Sequence, residues 1–362
     1  MFDGYILQIM VDKITITTDT GERVEAQAPM IISASRSTDI PAFYAKWFFN
    51  RLKKGYVAWY NPFNRQQKIY VSFKDTKAVV FWTKNPKPII PYLHKLDEQG
   101  IHYYFQFTLN DYESENFEPN VPPLEQRIKT FRRLSDMIGK ERVIWRFDPV
   151  MFTRVTPPDV ILRRISQIGE QIKGCTEKLV FSFVDVVAYK KVQNNLVRET
   201  TLFTKENVAL AEPAGVHMRQ FVEGLTLLRN RWHNEYNWNI TLATCAENEN
   251  FTKYGVEANR CIDGELMKRV FADDKEFVYY LKYGKKPQNR NEEGSLFDNV
   301  ELTPKKWKDG GQRDLCGCMV SKDIGMYNTC NHLCVYCYAN TSRKCVMDNR
   351  IKHSDDSESI ID

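Results

Sequence analysis

Between residues 30 and 247 the chain alternates two kinds of pattern. Short, nearly continuous apolar runs recur as MIISAS (30–35), YVAWYNP (56–62), AVVFWTKNP (78–86), HYYFQFTLN (102–110), RVIWRFDPV (142–150), KLVFSFVDV (178–186) and NWNITLATCAE (237–247). Between most of them lie spans with apolar positions three and four apart: FYAKWFFNRLKKG, PYLHKLDEQG, LEQRIKTFRRLSDMIG, PDVILRRISQIGEQIKG, residues 188–200 and HMRQFVEGLTLLRNRWHNEY. Strands apolar on both faces, separated by amphipathic helices, predict a parallel sheet covered by helices. The many repeats and the absence of a Gly-x-Gly-x-x-Gly turn favour an α/β TIM-type or partial (β/α) barrel over a dinucleotide-binding sheet.

The flanks read differently. Residues 1–29 form an N-terminal β extension in which YILQIMV and KITITT suggest a hairpin, with Thr20-Gly21-Glu22 as the turn leading out. Asp39 or Thr38 is placed to cap the helix after MIISAS, and Gly55 to close it. KIYVSF (68–73) reads as a short extra strand. After the 30–247 core, residues 248–362 make a cysteine-rich segment expected to complete the barrel. It contains one predicted helix, GELMKRVFADDKEFVYYLKYG, and a polar loop over 285–313.

Composition narrows the class. A chain of 362 residues with 43% hydrophobic and 27% charged positions buries a large core. Its formal charge of +5 permits an anionic ligand but comes with no basic tract, so it does not argue for nucleic acid. No window reaches a membrane-spanning length of apolar residues, and the N-terminus lacks the n- and h-regions of a secretory signal. A cytoplasmic location without membrane partners is expected. Clustered cysteines in such a compartment point to metal rather than disulfides.

Of nine cysteines, five lie between Cys316 and Cys337, and Cys345 follows. Cys330, Cys334 and Cys337 form C-x3-C-x2-C, three soft donors with apolar and aromatic neighbours Val335, Tyr336, Tyr338 and Ala339. A closed zinc site wants four protein ligands, and the position of His332 gives it no separate claim to be the fourth. Three thiolates on a [4Fe–4S] cluster leave one iron open. A second set, Cys245, Cys261, Cys316 and Cys318, supplies four thiolates for an auxiliary [4Fe–4S] cluster or a zinc ion, with Gly317 letting the Cys-Gly-Cys backbone turn. Cys175, and His94, His102, His217 and His233, fall in patterns that pack or cap.

TCNHLCVYCYA, together with SASRSTDIP, FWTKNP and WRFDP, resembles the domain of unknown function 1848 family, and the cysteine triplet resembles that of radical S-adenosylmethionine (SAM) enzymes. The resemblance implies a [4Fe–4S] cluster on Cys330, Cys334 and Cys337 that binds SAM and cleaves it to a 5′-deoxyadenosyl radical. It also implies a low-potential electron donor such as flavodoxin or ferredoxin. It does not name a substrate, and the triplet comes last in the chain rather than after the first strand, a circularly rearranged order. The strand ends, where parallel α/β folds carry chemistry, offer Arg36, Lys84, Arg146 and Glu247 as contacts for SAM or an anionic substrate. Asp39, Asp148 and Cys345 are further catalytic candidates. A zinc-stapled barrel hydrolase using Asp39, Asp148 or Glu247 as base, and a nucleic-acid-binding iron–sulfur protein, are the rival readings.

Overall fold

The computed structural model describes residues 12–62, 64–287, 308–309 and 315–361. The YILQIMV run and most of the polar loop over 285–313 lie outside them.

Alternating polar and apolar positions make KITIT into β1 (Lys13–Thr17), paired antiparallel with β2 (Arg23–Gln27) across the turn at 18–22. KITIT and RVEAQ thus form a hairpin of their own, with Gly21 at φ 85° supplying the left-handed turn residue between them. β3 (Ile31–Ala34) is buried along its whole length and leads into α1 (Ile40–Phe43) and α2 (Ala45–Lys54). Asp39 caps α1 through Ala42 N at 2.9 Å, and Gly55 closes α2 in the left-handed conformation at φ 85°. β4 (Tyr56–Asn61) and β5 (Asn64–Ser72) then pair antiparallel and join the first two strands in a sheet of order β1–β2–β5–β4. YVAWYNP thus belongs to this side sheet and not to the main one. The C-terminal tail straps it down: Ala58 N donates to Glu358 O at 2.8 Å, and Trp47 Nε1 to Ser357 O at 2.9 Å.

The remaining chain builds the main sheet. It runs β6 (Ala78–Thr83), α3 (His94–Asp97), β7 (His102–Thr108), α4 (Leu124–Ile138), β8 (Val143–Val150) and α5 (Pro158–Ile172). It continues through β9 (Lys178–Phe183), α6 (Lys190–Glu199), α7 (Val216–Tyr236), β10 (Thr241–Thr244) and β11 (Val256–Ala258). Last come α8 (Gly264–Val270), α9 (Lys275–Tyr283), β12 (Lys322–Asp323) and α10 (Arg343–Lys352). The region read as one helix is two, since Asp274 turns its carboxylate onto Phe277 N and starts α9 afresh.

The sheet order is β11–β10–β9–β8–β7–β6–β3–β12, and every pairing in it is parallel. From β3 to β11 each strand lies beside its predecessor, so right-handed crossovers put the connecting helices on one face. Ile32, Phe81, Phe105, Trp145, Phe181 and Leu242 point that way and pack with residues of α1, α2, α4, α5 and α7. Successive strand residues face opposite ways, and Ile31, Val80, Tyr104, Ile144, Val180 and Ala243 form the other face. A closed barrel would bury that second face against itself. Among the described residues no ladder joins β11 to β12, and the sheet is open. The second face is instead filled by Leu266, Met267, Phe277 and Leu281 of the α8–α9 pair and by the 316–319 segment. β12 sits against β3, so the end of the chain reaches the start of the sheet, as expected from the sequence. Among the described residues no helix is long and apolar enough to cross a membrane.

Candidate metal centres

The triplet occupies a loop laid across the C-terminal ends of β3, β6 and β7. Leu333, between its first two cysteines, takes φ 57°, a left-handed conformation rarely adopted by a branched residue and found where structure overdetermines the backbone. Asp39 is the main anchor. One carboxylate oxygen caps α1; the other accepts from Lys84 N at 2.7 Å and meets His332 Nε2 at 2.7 Å. Asp39 and His332 are 5% and 2% exposed, so this bond is shielded from water. His332 Nδ1 faces Asn120 O. The one imidazole within the triplet is thus committed to Asp39 through Nε2, with Nδ1 turned toward a backbone carbonyl. Asn340 Nδ2 holds Cys330 O at 2.8 Å, and Asn195 Nδ2 holds Cys337 O at 3.1 Å.

Beneath the loop is a buried polar network. Lys84 Nζ donates to Glu118 Oε1 at 2.8 Å and to Tyr336 OH at 3.1 Å, while Asn110 Nδ2 reaches the same carboxylate oxygen at 3.1 Å. Tyr336 OH also donates to Glu118. Burial alone would raise the Glu118 pKa, but the Lys84 and Arg127 charges outweigh it and bring it down to about 2. Burial opposes the charge on Lys84, and Glu118 restores it. Lys84 therefore supports the loop from below, next to Cys334, rather than offering a free cation to a ligand. Burial pushes all three thiols up, Cys330 to about 12, so each gives up a proton when it becomes a ligand.

The second cysteine set converges on the opposite face from three places in the chain. Cys245 follows β10, Cys261 follows β11, and Cys316 and Cys318 precede β12. Cys245 Sγ and Cys261 Sγ are 3.5 Å apart. Cys318 Sγ accepts from Cys261 N at 3.2 Å and Ile262 N at 3.4 Å. Arg146 Nη1 donates to Cys261 Sγ at 3.2 Å and to Gln106 Oε1 at 3.1 Å, while its Nε and Nη2 hold Asp148. Hydrogen bonds from Cys245 and Cys318, with the nearby Arg146 and Arg36 charges, push the Cys261 pKa down against its burial. Cys316 falls to about 6, chiefly through Cys318. The Arg36 guanidinium stacks over Trp82 at 5.1 Å and faces Cys318 and Cys261, with Nη2 buried and unpartnered. Its carbonyl accepts from Tyr338 OH at 2.6 Å, which ties the two cysteine sets together.

Arg36 and Arg146 are thus brought to the second set and Lys84 to the first. Asp148 is held by Arg146 and Ser182, and Glu247 accepts from Phe183 N at 2.9 Å. Cys345 lies half-buried in the first turn of α10, behind its Ser342 cap. Glu118 escaped the sequence reading because it sits in a Pro-containing loop with no periodicity to mark it, and Tyr336 registered only as hydrophobic shell. Among the described residues no three His, Cys, Asp or Glu side chains already stand at metal-cage spacing. The fit of the triplet to a three-thiolate cluster accordingly rests on its donors: three thiols on one loop, Cys334 buried and Cys330 and Cys337 half-buried, with the adjacent imidazole engaged elsewhere.

No curated protein and no solved structure matches this chain. A family profile, "Domain of unknown function (DUF1848)", matches residues 31–339, a span from β3 through both cysteine sets. The chain belongs to the DUF1848 family.

Proposed function

We propose that the protein is a radical SAM enzyme whose iron–sulfur cluster is held by Cys330, Cys334 and Cys337. The observation that carries this reading is the Asp39–His332 bond: it withdraws the nearest fourth ligand, and three thiolates leave one metal position for an exogenous molecule. When bound, such a cluster and SAM supply one-electron cleavage of a carbon–sulfur bond and a carbon radical able to take hydrogen from a substrate. The polypeptide fixes the loop at the carboxyl ends of three parallel strands, the edge of an open sheet where ligands bind. Asp39 orients His332 and the loop entry, and the Lys84–Glu118–Tyr336 network holds the loop's second half. Tyr336 and Val335 are buried beside Cys334, the most shielded of the three thiols. A low-potential electron donor of the flavodoxin or ferredoxin type is the implied partner. An open (β/α) sheet carrying this site last in sequence would be a circular rearrangement of the radical SAM order.

Anaerobic purification followed by iron and sulfide analysis tests the cofactor, and 5′-deoxyadenosine release from SAM after reduction tests the reaction. Both should disappear in the Cys330→Ala/Cys334→Ala/Cys337→Ala variant. Iron-free protein, or deoxyadenosine release unchanged in that variant, would overturn the assignment.

A further inference from the structure

Nothing in the proposed activity uses Cys245, Cys261, Cys316 or Cys318, although the fold gathers them across the second face of the sheet. Their surroundings are built for sulfur carrying negative charge. Four N–H donors aim at two sulfurs: Arg146 Nη1 and Asn259 Nδ2 at Cys261, and Cys261 N and Ile262 N at Cys318. A thiol accepts hydrogen bonds weakly, and such donors are the usual outer support of metal-bound thiolates. The backbone is pinned to match. Tyr104 OH and Gln106 Nε2 hold Cys261 O at 2.5 and 2.9 Å, and Met319 N donates to Ile262 O at 3.1 Å, fixing the 316–319 segment alongside residues 261–262.

We infer that these four cysteines bind one tetrahedral soft cation of the zinc class, which locks the 316–319 segment against the open face of the sheet. Sulfur spacing chooses the occupant. Bonds of about 2.3 Å to a tetrahedral zinc place neighbouring sulfurs about 3.8 Å apart, close to the 3.5 Å between Cys245 and Cys261. An iron–sulfur cubane puts each thiolate on a different iron and needs them well separated. Charge is complementary in part: four thiolates and a divalent ion leave two negative charges beside the Arg36 and Arg146 guanidiniums, whose positive charge is shared with Asp323 and Asp148. Asp148 engages Nε and Nη2 of Arg146 and leaves Nη1 for sulfur. The Arg36 Nη2, buried without a partner, is the donor left over. Cys316 and Cys318 stand on the segment that would close over the ion, although among the described residues the four sulfurs do not yet stand at cage spacing. Gly317 between them leaves little room for anything larger, since a Cβ there would stand 3.1 Å from Arg260 Cγ.

The test is metal analysis of the full chain, wild type beside three variants: Cys316→Ser, Cys261→Ser and the triplet triple-alanine. The expected result is about one zinc per chain in wild type and in the triplet variant, lost from both serine variants. Cobalt exchanged into wild type should give the intense long-wavelength bands of a tetrahedral tetrathiolate, a readout that does not depend on how the variants fold. Iron and sulfide that depend on Cys261 and Cys316, or the absence of any metal that depends on them, would overturn the inference. Because the triplet variant must keep its zinc while losing deoxyadenosine release, failure here is separable from failure of the radical reading.

Discussion

The Lys84–Glu118 pair offers the sharpest quantitative test of the buried network. The Glu118 side chain is 3% exposed and accepts from Lys84, Tyr336 and Asn110. Its pKa drops from an ordinary 4.5 to about 2 because Lys84 and Arg127 outweigh the cost of burial. At 1.36 kcal/mol per pH unit this makes the ionised carboxylate worth about 3 kcal/mol of folding stability. The sign follows from a depressed acid: the stabilisation is complete above the unfolded value of 4.5 and is lost as pH falls toward about 2. Glu118→Gln should therefore be about 3 kcal/mol less stable than wild type at pH 7. That difference should shrink by about 1.4 kcal/mol for each pH unit below 4.5. Urea unfolding of both proteins at intervals from pH 7 down to pH 3.5 measures it. A difference that stays constant with pH, or that is under about 1 kcal/mol at pH 7, would refute the claim that Glu118 is held as a buried anion. Lys84→Met should cost at least as much, since it leaves the carboxylate with Arg127, at 4.0 Å, as its remaining cation.

Gly325→Ala would place a Cβ 1.8 Å from Ser35 Oγ and 2.6 Å from Ser37 Oγ, so it should destabilise the fold by about 1–3 kcal/mol and lower the denaturation midpoint accordingly; an unchanged midpoint would show that the 323–326 turn does not press on the Ser35–Ser37 loop. Arg146→Lys cannot serve Asp148, Gln106 and Cys261 together and should cost about 2 kcal/mol in the same assay. His332→Ala frees the loop from Asp39 while leaving the α1 cap intact; iron per chain should fall with circular dichroism unchanged, and full iron retention would remove His332 from the role of positioning residue.

Much of the main sheet was legible because its strands are apolar on both faces and its helices keep their period, as RVIWRFDPV and the span of α5 illustrate. Openness was not legible, since it depends on which strands pair at the edges and no residue pattern encodes that. YVAWYNP is as apolar as a central strand, yet its pairing with β5 takes it into the side sheet. Arg36, Lys84 and Arg146 stood out as charges following apolar runs, but their destinations differ because alternate strand positions face opposite ways. Arg146 sits on the face of Ile144 and Val180, whereas Lys84 lies past the end of β6, under the triplet loop. The spacing between Cys245 and Cys261 said only that both were soft donors. Their approach depends on β10 and β11 being neighbours.

The pairing of β12 with β3 orders events in time as well as in space. During synthesis Ser33 emerges early and its partner Asp323 comes 290 residues later. Until then that edge of the growing sheet stands bare, a template for unwanted association. All three triplet cysteines follow β12, and Cys316 and Cys318 just precede it, so neither thiol set is complete until synthesis comes within a few residues of this edge strand. On the proposed assignments both sites would load only once that edge can be paired, which would couple metal uptake to completion of the sheet.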